Sequence, residues 1–220
     1  MNESKRNQFA RGYWGERAVH WDQSADSLAA VAERFNAPLM DAAEIGPRHR
    51  VLDLASGAGE PALSVAKRVG PLGRVVATDL APEMLDGVKR RAHAAGLANI
   101  EFHVADMEAL PFGPAEFDRI TCRFGIMFAE SPVAAAKECR RVLRPGGRAA
   151  FMVWGPRADT TQFVVFAAAA AKVFGDNKEL DLDRPFRFGA AGSLAKVLTD
   201  RKSTRLNSSH IQKSRMPSSA

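Results

Sequence analysis

Several things are scarce in this sequence. Of its 220 residues only two are cysteine, Cys122 and Cys139, and one is tyrosine. Two thiols are too few for a disulfide framework or a cysteine-rich zinc site. No apolar run reaches the ~18 residues that would cross a bilayer, and no secretory signal pattern opens the chain. These absences argue against a disulfide-stapled secreted domain and a membrane span, and they suit a reducing cytoplasm. No internal repeat is visible. His49, His93 and His103 stand apart and read as surface or helix-face residues, so no metal site is expected.

One-sided charge is also scarcer than the total suggests. The formal net charge is +6, which invites a nucleic-acid partner. Residues 200–220, however, carry five basic residues and one acid, leaving 26 basic against 24 acidic residues in positions 1–199. That last segment, DRKSTRLNSSHIQKSRMPSSA, shows neither apolar periodicity nor helix-capping pattern. Most of it resembles the translation of a short-read sequencing adapter. Residues 200–220 are therefore expected to be a non-native tail, and no nucleic-acid partner is expected.

What is present is an alternation of period. Apolar residues at helical spacing run from Ser24 to Ala43, interrupted by Pro38, after a polar and frayed stretch over residues 1–12. Short apolar runs follow at Val51–Leu54, Arg74–Asp79, Ile100–Val104, Phe117–Cys122 and Arg148–Trp154. Between them lie helical segments over residues 60–69, from Pro82 to a stop at Gly96, and over Pro132–Leu143. The helix from Pro82 is expected to bury Met84, Leu85, Val88, Ala92 and Ala95. Strands alternating with helices of about ten residues mean βαβ units, a parallel sheet and ligand sites at the carboxyl ends of the strands.

Four loops occupy those ends. The first, VLDLASGAGEPAL, has glycines that turn the chain sharply and let a ligand approach the backbone. Its Gly57/Gly59/Ala62 pattern also suits a nicotinamide enzyme. Asp53, just before the glycines, suits a cationic ligand group better than a pyrophosphate, and S-adenosylmethionine carries an ammonium and a sulfonium but no phosphate. A tight turn without a ligand is the alternative. Asp79 ends the second strand 20 residues after Gly59, an offset that suits ribose hydroxyls, with helix capping as the alternative. Asp106 and Met107 offer an acceptor for an adenine amino group and a soft contact for its face, or else a cap. Cys122-Arg123 follows the fourth strand, placing Arg123 near the reacting end of a cofactor or on a solvated rim.

Together these loops, with GRVVATDLAPEML, VADMEALPF, FDRITCRFGIMF and RVLRPGGRAAFMVWG, resemble the class I S-adenosylmethionine-dependent methyltransferases. The likeness is strongest to the ubiquinone/menaquinone C-methyltransferase-like, small-molecule group and runs from about residue 46 to 155. It implies an α/β, Rossmann-like three-layer sandwich with a mostly parallel sheet. It implies a helical cap or lid over residues 1–45 and a methyltransferase domain over 46–199, truncated before its last two strands. The cofactor-binding set it implies is Asp53, Ala55, Ser56, Gly57 and Gly59, then Asp79, Leu80 and Met84, then Asp106 and Met107, then Cys122 and Arg123. S-adenosylmethionine is the implied cofactor and a small molecule the implied acceptor. A cofactor-binding fragment without catalysis and an NAD-dependent oxidoreductase are the alternatives.

The cofactor would carry the electrophile, so no catalytic residue is named. Tyr13, Trp14 and Trp21, near His20, form either a lid or a hydrophobic staple. A helix over Thr161–Phe174, which the resemblance implies shapes the acceptor pocket, and another at Ser193–Leu198, ahead of the missing strands, are expected. Five strands with an exposed last edge are expected.

Overall fold

The structure, a computed structural model, describes residues 5–161, 163–165, 183–199 and 211–214. Helices α1 (Lys5–Gln23) and α2 (Ala25–Ala42) precede β1 (Arg50–Leu54), α3 (Ala62–Val69), β2 (Arg74–Asp79), α4 (Pro82–Ala94) and β3 (Ile100–Val104). Then come β4 (Phe117–Arg123), α5 (Pro132–Val142), β5 (Leu143–Trp154), α6 (Ser193–Thr199) and β6 (Ile211–Ser214). The strands form one sheet in the order β3-β2-β1-β4-β5-β6, and every pair is parallel.

Side chains alternate across a strand, and this sorts the core into two layers. Leu52, Leu54, Ile120, Phe151 and Val153 face α5 and α6, where Cys139, Val142, Leu194 and Leu198 are buried with them. Val51, Val75, Ala150 and Met152 face α2 and α3, against Leu39, Met40, Val65 and Val69. The outcome is the expected three-layer α/β sandwich. Pro82 begins α4 as expected and Gly96 follows it in the left-handed region. Ala95, expected on the buried face, is exposed, and Gly87 is buried instead.

Four expectations need correction. Residues 1–12 are not a frayed leader throughout, because α1 starts at Lys5; Trp14 and Ala18 pack on Ala81 and Met84 and hold a helix whose own sequence shows little apolar periodicity. α2 does not split at Pro38 but carries it inside. The helix read over residues 60–69 starts at Ala62, with Pro61 as its N-cap. Finally, the sheet has six strands and not five, since Ile211–Ser214 from the adapter-like segment lies parallel to β5 along Phe151–Trp154. An open edge presents unpaired N–H and C=O groups that any extended segment can satisfy. The helix expected over Thr161–Phe174 lies mostly outside the described residues.

Candidate functional site

A cavity of about 950 Å³ runs along the carboxyl ends of the strands. Following the sheet order, its floor is Asp106 and Met107 after β3, Asp79 and Leu80 at β2, the Ala55–Ala58 loop after β1, Arg123–Gly125 at β4 and Trp154 at β5. Of the twelve sequence-expected site residues, nine line it: Ala55, Ser56, Gly57, Asp79, Leu80, Met84, Asp106, Met107 and Arg123.

Asp53, Gly59 and Cys122 do not line it. Strand alternation puts Asp53 on the α2/α3 face, in register with Thr121 of β4. Its carboxylate accepts the Thr121 hydroxyl at 2.6 Å and the Ser56 hydroxyl at 2.7 Å, and it is fully buried. Burial pushes its pKa up to about 7, against the pull of those two hydroxyls. Asp53 therefore braces the loop from behind. Gly59, with φ of 110°, is a packing glycine: a Cβ there would come within 3.1 Å of Leu63 and 3.3 Å of Val88. Cys122 is buried in the core below, its thiol pushed up to about 12 by burial.

The loop's backbone is already committed. Asp79 accepts the Gly57 N–H at 2.9 Å and the Ala81 N–H at 3.1 Å. The Ser56 and Gly59 N–H groups donate to Thr78 and Ser56 carbonyls. Burial raises the Asp79 pKa. Asp106 accepts the Glu108 N–H at 2.8 Å and the amide of Asn7, which reaches down from α1. Arg11 donates to the Leu80 carbonyl at 3.2 Å, and Trp14 meets Phe128 edge-on with centroids 5.0 Å apart. α1 thus lies over the cavity, with Trp14 and Trp21 in its wall.

Residues 51–147 match the family described as a methyltransferase domain. Over those residues the chain is similar to a methyltransferase domain. An uncharacterized protein of Mycobacterium tuberculosis is 42% identical over 130 residues, 57% of this chain and 46% of that protein. A ubiquinone/menaquinone biosynthesis C-methyltransferase of Bordetella avium is 37% identical over 132 residues, 60% of this chain and 51% of that protein. The chain spans about half the length of the curated relatives it matches. The fold is shared with a crystal structure of a putative S-adenosylmethionine-dependent methyltransferase of Methanococcus maripaludis, with TM-score 0.60 and 20% identity, covering 84% of this chain and 80% of that one. Among the described residues, no helix is long and apolar enough to cross a membrane.

The structure also brings together residues that sequence reasoning missed. Asn36 of α2 is fully buried, accepts from Arg123 at 3.0 Å, and donates to Glu60 at 2.7 Å and to Ser64 at 3.0 Å. Ser64 donates to the same Glu60 oxygen at 2.7 Å. This chain ties α2, the glycine loop, α3 and β4 together. Nothing local marks Asn36, which sits 87 residues from Arg123. Gly125 was also missed: a Cβ there would lie 2.6 Å from the Ala55 Cβ, so the β1 and β4 loops pack backbone to backbone. Beyond them stands an aromatic wall. Phe124 and Trp154 stack at 4.3 Å and 10°, and Phe163 meets Trp154 edge-on at 5.5 Å.

Proposed function

We propose that this chain is an S-adenosylmethionine-dependent methyltransferase acting on a small-molecule acceptor. The observation that carries the reading is the order of groups along one cavity: Asp106 and Met107, then Asp79, then the glycine loop, then an arginine and aromatic side chains. In this reading Asp106 and Met107 hold adenine, Asp79 accepts ribose hydroxyls, and the Ala55–Ala58 loop with Glu60 cradles the methionine part. The chain's groups suit that ligand. Asp79 and Asp106 are among the acidic residues that line the cavity, and Gly57, at φ of 50°, takes a turn that a side chain would strain. A dinucleotide suits it less. A pyrophosphate needs free loop N–H groups, and here those of Ser56, Gly57 and Gly59 already have acceptors.

The bound cofactor supplies an electrophilic methyl on a sulfonium. The protein's share is to align the acceptor and keep water out. Residues 1–45 serve as the cap, through α1 over the strand ends, and Asp53 keeps the glycine loop in shape from behind.

Calorimetric titration with S-adenosylmethionine, S-adenosylhomocysteine and NAD tests the reading. Saturable binding of the first two without NAD binding is expected. Tighter binding of NAD, or no binding of either sulfur ligand, overturns it. Release of labelled methyl into a panel of small acceptors separates a transferase from a cofactor-binding protein without catalysis.

A further inference from the structure

The cavity continues past the residues assigned to adenosine and methionine, and its far end differs in chemistry. Neighbouring strands lie about 4.8 Å apart. The groups assigned to the cofactor sit over β3, β2 and β1, which leaves the ends of β4 and β5 for whatever receives the methyl group. That end holds the stacked Phe124–Trp154 pair, Phe163 and Arg123. Phe186 continues the wall, edge-on to Phe163 at 5.0 Å.

Arg123 is the last residue of β4 and pairs with Met152 of β5, so it stands on the acceptor side of the glycine loop. Its guanidinium has five N–H donors, and the hydrogen bond it makes is one Nη1 contact to Asn36. Glu60 faces the same cavity, but Asn36 and Ser64 already share one of its oxygens. Arg184 and Arg187 also face the cavity, but they donate to the carbonyls of Phe128 and Ala129. Among the described residues, Arg123 is the cavity-facing cation that ends a strand, next in sequence to Phe124 of the aromatic wall, and it has donors to spare. A largely buried cation with unused donors favours an anion that completes its hydrogen bonds. Aromatic side chains favour a flat ring against them, edge-on or offset.

We propose that the acceptor is a planar aromatic acid, its ring against the Phe124–Trp154–Phe163 wall and its carboxylate on Arg123. This rests on the methyltransferase reading above. The carboxylate on Arg123 could come from the acceptor or from the cofactor's own methionine part, and the test separates the two sources.

The full chain, saturated with S-adenosylhomocysteine, is titrated calorimetrically with cinnamate, cinnamyl alcohol and 3-cyclohexylpropanoate. Cinnamate is expected to bind at least about tenfold tighter than the alcohol, the scale of a hydrogen bond to a charged group, and about threefold or more tighter than the cyclohexyl acid, the scale of an aromatic pair. Arg123→Gln is expected to abolish the preference for cinnamate over cinnamyl alcohol, with S-adenosylhomocysteine affinity measured beside it. Arg123→Lys is expected to retain part of the preference. Equal binding of the alcohol removes the acid from the proposal, and equal binding of the cyclohexyl acid removes the ring. An Arg123→Gln variant that loses S-adenosylhomocysteine and keeps cinnamate assigns Arg123 to the cofactor and overturns the proposal. The wild-type comparison of the three probes stands even where the variant fails to fold. Failure of S-adenosylhomocysteine to bind the wild type sinks the methyltransferase reading itself, a separate result.

Discussion

Replacing Asp53 by asparagine keeps the side-chain shape and removes its ability to ionise. The folded carboxyl holds its proton up to about pH 7 because it is fully buried, whereas the unfolded one releases it near 3.8. Between those values the folded state binds more protons than the unfolded state, so this group's contribution to stability falls as pH rises. The gap corresponds to roughly 4 kcal/mol at 1.36 kcal/mol per tenfold. That cost is absent below pH 3.8 and complete above about pH 7. Asparagine carries none of it. Its amide meets Thr121 and Ser56, whose hydroxyls can turn from donor to acceptor, and any mismatch there is independent of pH. Urea denaturation followed by circular dichroism, at steps from pH 4.5 to 8.5, gives the difference between Asp53→Asn and wild type. Over that range the variant's relative stability is expected to climb with pH by up to about 3 kcal/mol and to level off above pH 7. A difference that stays flat, or that falls with pH, refutes the reasoning: the first means Asp53 titrates normally, the second that a cation holds it ionised.

Asp79→Ala removes the acceptor of the Gly57 N–H and the group assigned to ribose; S-adenosylhomocysteine affinity in calorimetry is expected to fall at least about tenfold. Asn36→Leu leaves Arg123, Glu60 and Ser64 without their shared partner, and a loss of roughly 2–3 kcal/mol in urea melts is expected; a change under ~0.5 kcal/mol contradicts the network. Both cysteines are buried and their thiols are raised by burial, so Ellman's reagent at pH 8 is expected to find neither in the native chain and both in denaturant. A chain stopped after Thr199 loses, of the described residues, the four of β6, and is expected to keep its far-ultraviolet spectrum with a stability loss of a few kcal/mol at most; collapse of that spectrum would show that the sheet depends on the removed segment.

The sheet was legible because its signals are local. β2 and β3 have the bounds read from the apolar runs, and β1 and β4 differ by one residue. Glycine and proline punctuate the loops between them, so the strand ends, and with them nine lining residues, followed. What escaped depends on contacts far apart in sequence. Asp53 was legible as a special residue but not in its orientation, which Thr121 across the strand pair decides. Asn36 reads as one polar position on an amphipathic helix until α2 is laid against β4. α1 has little apolar periodicity of its own and is a helix because α4 and the strand ends receive it. β6 could not be read, since pairing at an open edge needs only extended backbone and leaves no side-chain pattern.

The chain has three tryptophans, and Trp14, Trp21 and Trp154 all stand in the wall of the one cavity. Two arrive on α1 and one at the end of β5, from opposite ends of the described sequence. Its intrinsic ultraviolet emission is therefore a signal from a single place, with no tryptophan elsewhere to dilute it. A ligand entering, a ring stacking or α1 lifting alters every emitter, so the protein carries its own optical gauge of occupancy and needs no attached dye.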